Sequence, residues 1–404
     1  MQAAHTQKVP AATSWFLVVA TGILLAGIGL VFPLLAEFQD TFGFSTASLG
    51  LISAAAFGSA LVSGLFFSGL ADRGHTRALM VGGALLCGAS VLWFAVGTEV
   101  WQFVGARLLE GFGLGIFTPA VRKVMTAGGS VDAGHQLGRL VSAELGGLLV
   151  GPLVGTALTS AFSLDAPFLV LGLLNLALAG VLAVWPLPEV EPSSERQSAL
   201  TASLRLLRVP AAAGTALLSL ALFLPVGIYD SLWARYLSDR GASTIFIGVT
   251  LSLYSLPIVL VAPFGGRLSD RMGPVRAATA AMCVIVPVTV LYGSLPWPLV
   301  IAAFAVLESF PQAVASPAVQ TAMLRVGGEG DVAAGQGLIN SLNMLGGTLV
   351  GLLAPLGYAV LGPSWLFALA GAGMAAVYGT GLLLLRRGGG QNDPADTAAA
   401  PVVP

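Results

Sequence analysis

The chain has 404 residues, of which 56% are hydrophobic and only 9% are charged, and its formal net charge is −1. Soluble domains contain about 25% charged residues, so this composition excludes a soluble globular protein. Apolar runs of about 20 residues recur along almost the whole chain, and each is long enough to cross roughly 30 Å of hydrocarbon as a helix. Lipid offers no partner for open backbone groups, so these runs must be helical.

The apolar runs predict twelve transmembrane helices. In chain order the predicted spans cover residues 15–36, 46–69, 78–97, 100–121, 139–160, 166–186, 211–237, 244–265, 277–294, 298–324, 332–357 and 363–385.

The distribution of Lys and Arg fixes the expected orientation, because these residues are retained on the cytoplasmic side of short loops. With both termini in the cytoplasm, fifteen of the eighteen Lys and Arg lie on that side. Arg235 and Arg240 fall outside, and Arg107 lies within a span. The sequence therefore predicts a multi-pass, all-α protein of the inner (plasma) membrane with both termini cytoplasmic.

The longest polar interval divides the chain into six plus six spans. The expected organisation is a cytoplasmic N-terminus at 1–14, a six-helix half at 15–186, a cytoplasmic linker at 187–210, a second six-helix half at 211–386 and a disordered cytoplasmic tail at 387–404. Within the linker, SALTASLRLLR is either a solvated tether or a short helix at the membrane interface.

Short stretches of the first half return in the second half at a nearly constant offset, which is a property of many transporters. The matches are LADR at 70–73 with LSDR at 268–271, TPAV at 118–121 with SPAV at 316–319, and LGGLLVG at 145–151 with LGGTLVG at 345–351. The offset of 198 residues also sets Glu110 opposite Glu308. The sequence therefore predicts two pseudo-symmetric six-helix halves.

Three local motifs are informative. The turn after the second span contains Asp72, Arg73 and Arg77, and its copy in the second half contains Asp270 and Arg271. The fourth span reads ARLLEGFGLG and places Arg107 and Glu110 on the order of 10 to 15 Å inside the membrane, where charges are costly and usually functional. The fifth span contains the spaced series Gly138, Gly147, Gly151, Pro152 and Gly155.

Together these features resemble the major facilitator superfamily and, more narrowly, its twelve-helix drug/proton antiporters. The resemblance covers residues 15–386. It implies that the charged turns form a cytoplasmic gate that latches the two halves, that Arg107 tunes a nearby proton carrier, and that the glycine series marks an exporter. The chain departs from the family pattern by placing Arg122-Lys123 where an acid is usual at the cytoplasmic end of the fourth span.

Each motif also has a structural explanation. In these explanations the turns are charged only because of membrane topology, and Arg107 and Glu110 form an internal i,i+3 ion pair that stabilises the fold. The glycines then serve only the close packing of helices.

A proton-driven carrier needs a carboxyl group that alternates between protonated and charged forms. The acids within the predicted spans are Glu110, Glu144, Asp230 and Glu308. Glu308 is the first candidate because it lies midway along the tenth span with no cation evident on that helix. Asp230 either pairs with Arg235 or, as the resemblance suggests, works as a couple with Glu308. Glu144 serves either the proton path or the cytoplasmic gate.

Aromatic and amide side chains are the candidates for substrate binding. They are Phe112, Phe117, Trp233, Tyr254, Phe310, Gln312, Asn340 and Asn343. An apolar pocket with few polar anchors suits a promiscuous site, and an acid in it would attract lipophilic cations, in part through cation–π contact. Each aromatic taken singly is better explained by packing or lipid contact, and the two asparagines serve either a ligand or neighbouring helices.

The sequence therefore predicts a non-enzymatic secondary active transporter that exchanges inward protons for an outward amphipathic drug or metabolite. The alternatives are export of a small polar compound such as a sugar or amino-acid derivative, an uncoupled facilitator, or a non-transporting receptor or scaffold. An intramembrane enzyme is disfavoured because the sequence has no nucleotide-binding Gly-Lys loop and no metal-ligand cluster. We expect a monomer in the lipid bilayer, with the proton gradient as its energy source and with no cofactor, metal or nucleic-acid partner.

Overall fold

The computed structural model describes the backbone of residues 10–67, 69–127, 130–188, 199–327 and 332–388. Within these ranges the chain forms helices joined by short turns, and no strand occurs among them. The helices are α1 (Ala11–Gly29), α2 (Val31–Phe42), α3 (Thr46–Phe67), α4 (Gly69–Asp72), α5 (Thr76–Val96), α6 (Val100–Thr126), α7 (Ser130–Ala161), α8 (Ala166–Val184), α9 (Ala199–Leu207), α10 (Pro210–Ser231), α11 (Trp233–Ser238), α12 (Thr244–Met272), α13 (Pro274–Tyr292), α14 (Pro298–Gly327) and α15 (Val332–Gly388).

Eleven helical stretches of the described chain are long and apolar enough to cross a membrane. The last of them, in α15, contains Gly362, whose φ of 77° and ψ of 172° are not helical. A left-handed φ of this kind suits glycine because it has no Cβ. The residue splits α15 into two segments, where the sequence predicts separate spans at 332–357 and 363–385. The all-α fold with twelve spans is therefore confirmed.

Several predicted spans differ from the helices in extent, and two of the differences have a local cause. The first span reaches Phe42 rather than residue 36, because Glu37 and Gln39 find partners beyond the apolar core: Thr244 donates to Glu37, and the Gln39 amide donates to the carbonyl of Phe44. The seventh predicted span, 211–237, is two helices, since Leu232 separates α10 from α11 with φ −130°.

Helices α1 to α8 form the first half of the bundle, and α10 to α15 form the second half. Small residues allow close approach within each half, as is usual when helices associate in lipid. A Cβ built on Gly147 of α7 would lie 2.4 Å from the carbonyl oxygen of Gly22 in α1, and one on Gly111 of α6 would lie 1.9 Å from that of Ala56 in α3. Larger residues at these glycines would force the helices apart.

Helix α9 lies in the linker between the halves and resolves the choice between tether and helix in favour of a helix. Its Leu206 is buried against Ala212, Met323 and Leu338, so α9 packs on the ends of α10, α14 and α15. We call this side of the bundle the linker end and the other side the opposite end. The proposed N-terminus before residue 10, the linker residues 189–198 and the tail from 389 onward lie outside the described residues.

The two halves touch along α3 and α15 toward the opposite end. A Cβ built on Gly50 of α3 would lie 2.7 Å from the carbonyl oxygen of Leu352 in α15. A Cβ built on Gly351 of α15 would lie 2.7 Å from the hydroxyl oxygen of Ser53 in α3. Phe57 of α3 packs against Gly347 of α15. Gly64 lies two turns beyond Phe57 on the same face of α3, toward the linker end. Nothing lies within 4 Å of a Cβ built on Gly64, so α15 does not pack closely on α3 at that position.

Helices α7 and α12 form the second contact between the halves. The Ser252 hydroxyl donates to the carbonyl of Leu149 at 2.6 Å. A Cβ built on Gly248 would lie 2.4 Å from the hydroxyl oxygen of Thr156. These residues also lie nearer the opposite end, so both pairs of helices hold the halves together there.

Candidate functional site

A buried cluster of three charged side chains connects the two halves. Arg107 and Glu110 lie one turn apart on α6, and Asp230 lies in the last turn of α10. The Arg107 guanidinium contacts both carboxyl groups, with 2.5 Å from Nη1 to Glu110 Oε1 and 2.5 Å from Nη2 to Asp230 Oδ1. None of the three side chains is more than 2% exposed. The predicted i,i+3 pair exists, but it is extended across the interface by Asp230.

Two further residues complete the surroundings of the cluster. The Ser53 hydroxyl of α3 donates to the second carboxyl oxygen of Asp230, and the guanidinium carbon of Arg107 lies 5.7 Å from the centre of the Phe32 ring. Among the described residues, Arg107 Nε and Glu110 Oε2 have no hydrogen-bond partner. The cluster therefore keeps one donor and one acceptor free in a dry environment.

Glycines of α6 explain how this helix carries its charges so deep in the protein. Cβ atoms on Gly111 and Gly113 would collide with the backbones of α3 and α5, so α6 is enclosed on both sides. Arg107 is seven residues from the helix start at Val100, which corresponds to about 10 Å at 1.5 Å per residue. The cluster therefore lies inside the region where the halves are in contact.

The charges in the cluster do not balance. One guanidinium neutralises one carboxylate, and leaving a second charge uncompensated in a dry interior costs several kcal/mol. Glu110 and Asp230 both contact Arg107, so the cluster contains one acidic group more than it has basic groups.

Glu308 forms a second buried site, which lies within the second half. Its Oε2 accepts hydrogen bonds from the hydroxyls of Tyr229 on α10, at 2.8 Å, and Tyr292 on α13, at 2.5 Å. The side chain is fully buried, and its Oε1 has no partner among the described residues. The ring of Tyr254 on α12 lies 4.8 Å from that of Tyr229. No Lys or Arg of the described chain pairs with Glu308.

Asp230 contacts neither of the two partners that the sequence suggested for it. Arg235 does not pair with it, because the guanidinium of Arg235 contacts Asp40, at 2.5 Å, and Asp239. Asp230 and Glu308 are not in contact either. They are linked indirectly through Tyr229, which precedes Asp230 in the chain and binds Glu308.

The charged turn after α3 makes its contacts within the first half. Asp72 pairs with Lys123 at 2.5 Å, and Arg77 donates to the carbonyl of Ala183 at 2.8 Å. Among the described residues, neither Asp72 nor Arg77 forms an ion pair or hydrogen bond with the second half, so these two side chains do not form the expected latch in this structure. Lys123, which looked like a departure from the family pattern, provides the partner for Asp72. Arg73 is exposed.

The other residues expected at the gate are accounted for as follows. Arg271 is exposed, and the side chain of Asp270 is outside the described set. Glu144 faces Arg122 at 3.2 Å, on the linker side of the bundle. Within the glycine series, Gly147 and Gly151 pack on α1, and Gly155 packs on Leu30, the residue that follows α1. The oxygen of Pro152 approaches α12, and nothing lies within 4 Å of a Cβ on Gly138.

The substrate-binding candidates do not form one group. Trp233 and Tyr254 both contact the ring of Tyr229. The remaining candidates are elsewhere: Phe112 and Phe117 pack in the first half, Phe310 is 46% exposed, Gln312 donates to the carbonyl of Leu222, Asn343 bonds Ser219 and Asn340 is exposed.

Sequence analysis missed four residues that contact the buried charged groups: Phe32 lies against Arg107, and the other three donate hydrogen bonds to Asp230 or Glu308. Ser53 and Phe32 carry no charge and give no signal in a hydropathy profile. Tyr229 and Tyr292 are polar residues in apolar spans, and the position of Tyr229 beside Asp230 was the one usable sign.

Comparison with known proteins places this arrangement in a family. Residues 17–238 and 211–404 match the family described as Major Facilitator Superfamily. A relative named Multi-drug resistance efflux pump PmrA homolog, from Lactococcus lactis subsp. lactis, is 25% identical over 341 residues, which cover 81% of this chain and 84% of that protein. Multidrug resistance protein MdtG of Enterobacter lignolyticus is 26% identical over 318 residues, or 74% of each chain.

Solved structures share the fold. The crystal structure of the nucleoside transporter NupG aligns with a TM-score of 0.75 at 14% identity and covers 92% of this chain and 99% of that one. A bacterial homolog of the human lysosomal transporter Spinster, in an inward-facing and unoccupied conformation, aligns with a TM-score of 0.70 at 14% identity, covering 93% and 95%.

Proposed function

Because this chain belongs to the Major Facilitator Superfamily, we propose that it is a secondary active transporter that exports amphipathic small molecules in exchange for protons. It acts as a monomer in the inner membrane, and the proton gradient is its source of energy. Relatives named as multidrug efflux pumps support export of drug-like compounds. The observation that carries the proton coupling is the buried ion pair between Arg107 of the first half and Asp230 of the second half.

The linker end faces the cytoplasm in this proposal. The distribution of Lys and Arg supports this orientation, since the sequence predicts fifteen of the eighteen on the cytoplasmic side. The close approaches between the halves toward the opposite end, and the open space beside Gly64, support a conformation open to the cytoplasm. A substrate from the cytoplasm or the inner leaflet then enters between the halves.

Alternating access requires that the contacts at the opposite end break. When they do, Arg107 and Asp230 separate, and Asp230 becomes accessible to protons from outside. Closure returns Asp230 to Arg107, whose positive charge favours the carboxylate. Glu110 lies one turn closer to the linker end on the same guanidinium and accepts the displaced proton. The proton thus moves from the outer side to Glu110 while the substrate moves outward, and its release from Glu110 to the cytoplasm completes the exchange.

Uptake into everted membrane vesicles tests this function. With an acidic lumen, we expect the wild type to accumulate ethidium, a lipophilic cation, or chloramphenicol, a neutral amphiphile, and to stop when the pH gradient is collapsed. Asp230→Asn is expected to remove gradient-driven uptake, because Asn cannot exchange a proton. Ser53→Ala is the matched control, since it loses one hydrogen bond to Asp230 and no charge.

Two results would contradict the proposal. Uptake that persists without a gradient indicates an uncoupled facilitator. Absence of uptake for both compounds, with a folded protein, excludes the amphipathic substrate class represented by these two probes.

A further inference from the structure

Glu308 occupies the position in the second half that corresponds to Glu110 in the first, but its surroundings differ. The offset of 198 residues that pairs Glu110 with Glu308 pairs Arg107 with Ala305. The second half therefore has no guanidinium at this point. The hydroxyls of Tyr229 and Tyr292 take its place and both donate to Glu308 Oε2.

The hydrogen bonds of Glu308 all lie within one half. They join α14 to α10 and α13, which move together when two rigid halves rock about the interface. The side chain is fully buried, so neither side of the membrane reaches it in this conformation. Asp230 differs, because its bonds to Ser53 and Arg107 cross the interface. When the two halves rock, the contacts that cross the interface change, and the contacts within one half do not.

Tyr229 connects the two acids mechanically. Successive residues of an α-helix point about 100° apart, so Tyr229 faces the interior of its own half while Asp230 faces the other half. Both lie in the last turn of α10, which ends because Leu232 is not helical. A helix end lacks the hydrogen bonds of a following turn. The bond from Tyr229 to Glu308 therefore fixes the segment that presents Asp230.

Aromatic contacts support the same turn from the other sides. The ring of Tyr229 lies edge-on to Trp233 at 4.8 Å and against Tyr254 at 4.8 Å. The Trp233 indole donates to Thr250 of α12 at 3.3 Å. The end of α10 is thus held by α12, α13 and α14, and Glu308 is the one acidic group in this set of contacts.

We propose that Glu308 is a positioning residue for Asp230, acting through the hydroxyl of Tyr229, and that it does not itself carry the transported proton. This rests on the proposed function, in which Asp230 is the acid that exchanges protons. The titratable groups that face Glu308 are Tyr229 on α10, Tyr254 on α12 and Tyr292 on α13. Those that face Asp230 are Arg107 and, through it, Glu110 on α6.

Two substitutions at Glu308 separate the roles of carrier and positioner. Glu308→Gln removes the titratable proton but keeps an oxygen that accepts both tyrosine hydroxyls. Glu308→Leu removes the acceptor and leaves two buried hydroxyls unpaired, which the helix end must relieve by moving. Tyr229→Phe removes the bond beside Asp230. Tyr292→Phe removes the other bond to the same oxygen and is the matched control.

The test is a pH titration of the distance across the opposite end by pulsed electron paramagnetic resonance. Spin labels at Thr98 and Ser294, both exposed and in different halves, report the separation in the full chain in lipid nanodiscs. Cys87→Ala and Cys283→Ser remove the native thiols. Because protonation of Asp230 weakens its pair with Arg107, the wild-type distance is expected to increase as the pH falls.

We expect Glu308→Gln and Tyr292→Phe to keep the wild-type midpoint. Glu308→Leu and Tyr229→Phe should each shift it by about one pH unit, a tenfold change in the proton equilibrium. The double variant Glu308→Leu/Tyr229→Phe should shift the midpoint little more than either single variant, since both substitutions remove the hydrogen bond between Tyr229 and Glu308.

Three outcomes would overturn the inference. If Glu308→Gln abolishes the pH response as Asp230→Asn does, Glu308 carries the proton. If Glu308→Leu keeps the wild-type midpoint, its role is only structural. If the wild-type distance is constant from pH 5 to pH 9, there is no titrating acid to position. Ethidium uptake into everted vesicles is measured separately, so a failure of the proposed transport function is distinguished from a failure of the positioning role.

Discussion

The charge imbalance of the buried cluster makes a specific prediction for variants of its two acids. In Asp230→Asn, Arg107 keeps Glu110 as its counter-ion at 2.5 Å. In Glu110→Gln, it keeps Asp230 at 2.5 Å. Neither single variant leaves the guanidinium unpaired, whereas the double variant does. We therefore expect the two substitutions to be strongly non-additive.

The magnitudes follow from the burial and the contacts. Replacing a charge-assisted hydrogen bond by a neutral one costs about 1 to 1.5 kcal/mol, so Asp230→Asn should shift the balance between the closed and open opposite end roughly tenfold. An unpaired Arg107 in the double variant costs about 3 to 5 kcal/mol. That corresponds to a shift of more than about a hundredfold toward the open state, where water reaches the guanidinium.

Pulsed electron paramagnetic resonance between labels at Thr98 and Ser294 measures this balance directly. A second pair at His75 and Arg276, both exposed at the linker end, should shorten as the first pair lengthens. The double variant should lie almost entirely in the open state at the opposite end. Shifts that simply add would contradict the reasoning, since they would mean that Arg107 does not depend on having one of its two acids charged.

The remaining predictions concern the glycine face and the exposed ion pair at the opposite end. Gly147→Ala would place a Cβ 2.4 Å from the carbonyl of Gly22, so we expect it to lower the melting temperature and the yield of folded protein. Gly146→Ala is its control, because nothing lies within 4 Å of that Cβ. An unchanged Gly147→Ala would mean that α1 is free to move. Asp40→Asn breaks the ion pair with Arg235. The Asp40 side chain is 60% exposed in this pair, and exposed ion pairs contribute about 0.2 to 1 kcal/mol to stability. The distance across the opposite end should therefore change less than in Asp230→Asn, and gradient-driven ethidium uptake should persist; its complete loss would place Asp40 in the coupling machinery.

Much of the architecture could be predicted because membrane helices leave a direct trace in the sequence. Each span must be apolar for about 20 residues, so hydropathy located the spans, and the distribution of Lys and Arg favoured an even number with both ends cytoplasmic. The break at Gly362 falls where two predicted spans meet. The extension of the first helix to Phe42 was missed because its polar residues are satisfied by residues far away in the chain, such as Thr244.

The partners of the buried charges could not be predicted in the same way. Arg107 and Glu110 are three residues apart on one helix, so their contact could be foreseen from helical spacing. Asp230 is separated from Arg107 by 123 residues, and its placement depends on which face of α10 meets the other half. Arg235 was the nearer cation in sequence, yet α11 turns it toward Asp40. Proximity in sequence therefore suggested Arg235 as a partner for Asp230, whereas the partner in the structure is Arg107.

The comparison of the two halves explains why one ion pair across the interface is buried rather than two. Glu110 and Glu308 occupy matching positions, but Arg107 has Ala305 as its counterpart. A second arginine at residue 305 would pair with Glu308 inside its own half, where no rocking motion breaks the contact. With alanine there, the tyrosines bind Glu308, and the one guanidinium of the first half is left to bind an acid across the interface. The loss of symmetry at this single position makes the charge balance of the cluster depend on the relative position of the two halves, which is what the proposed coupling of proton movement to transport requires.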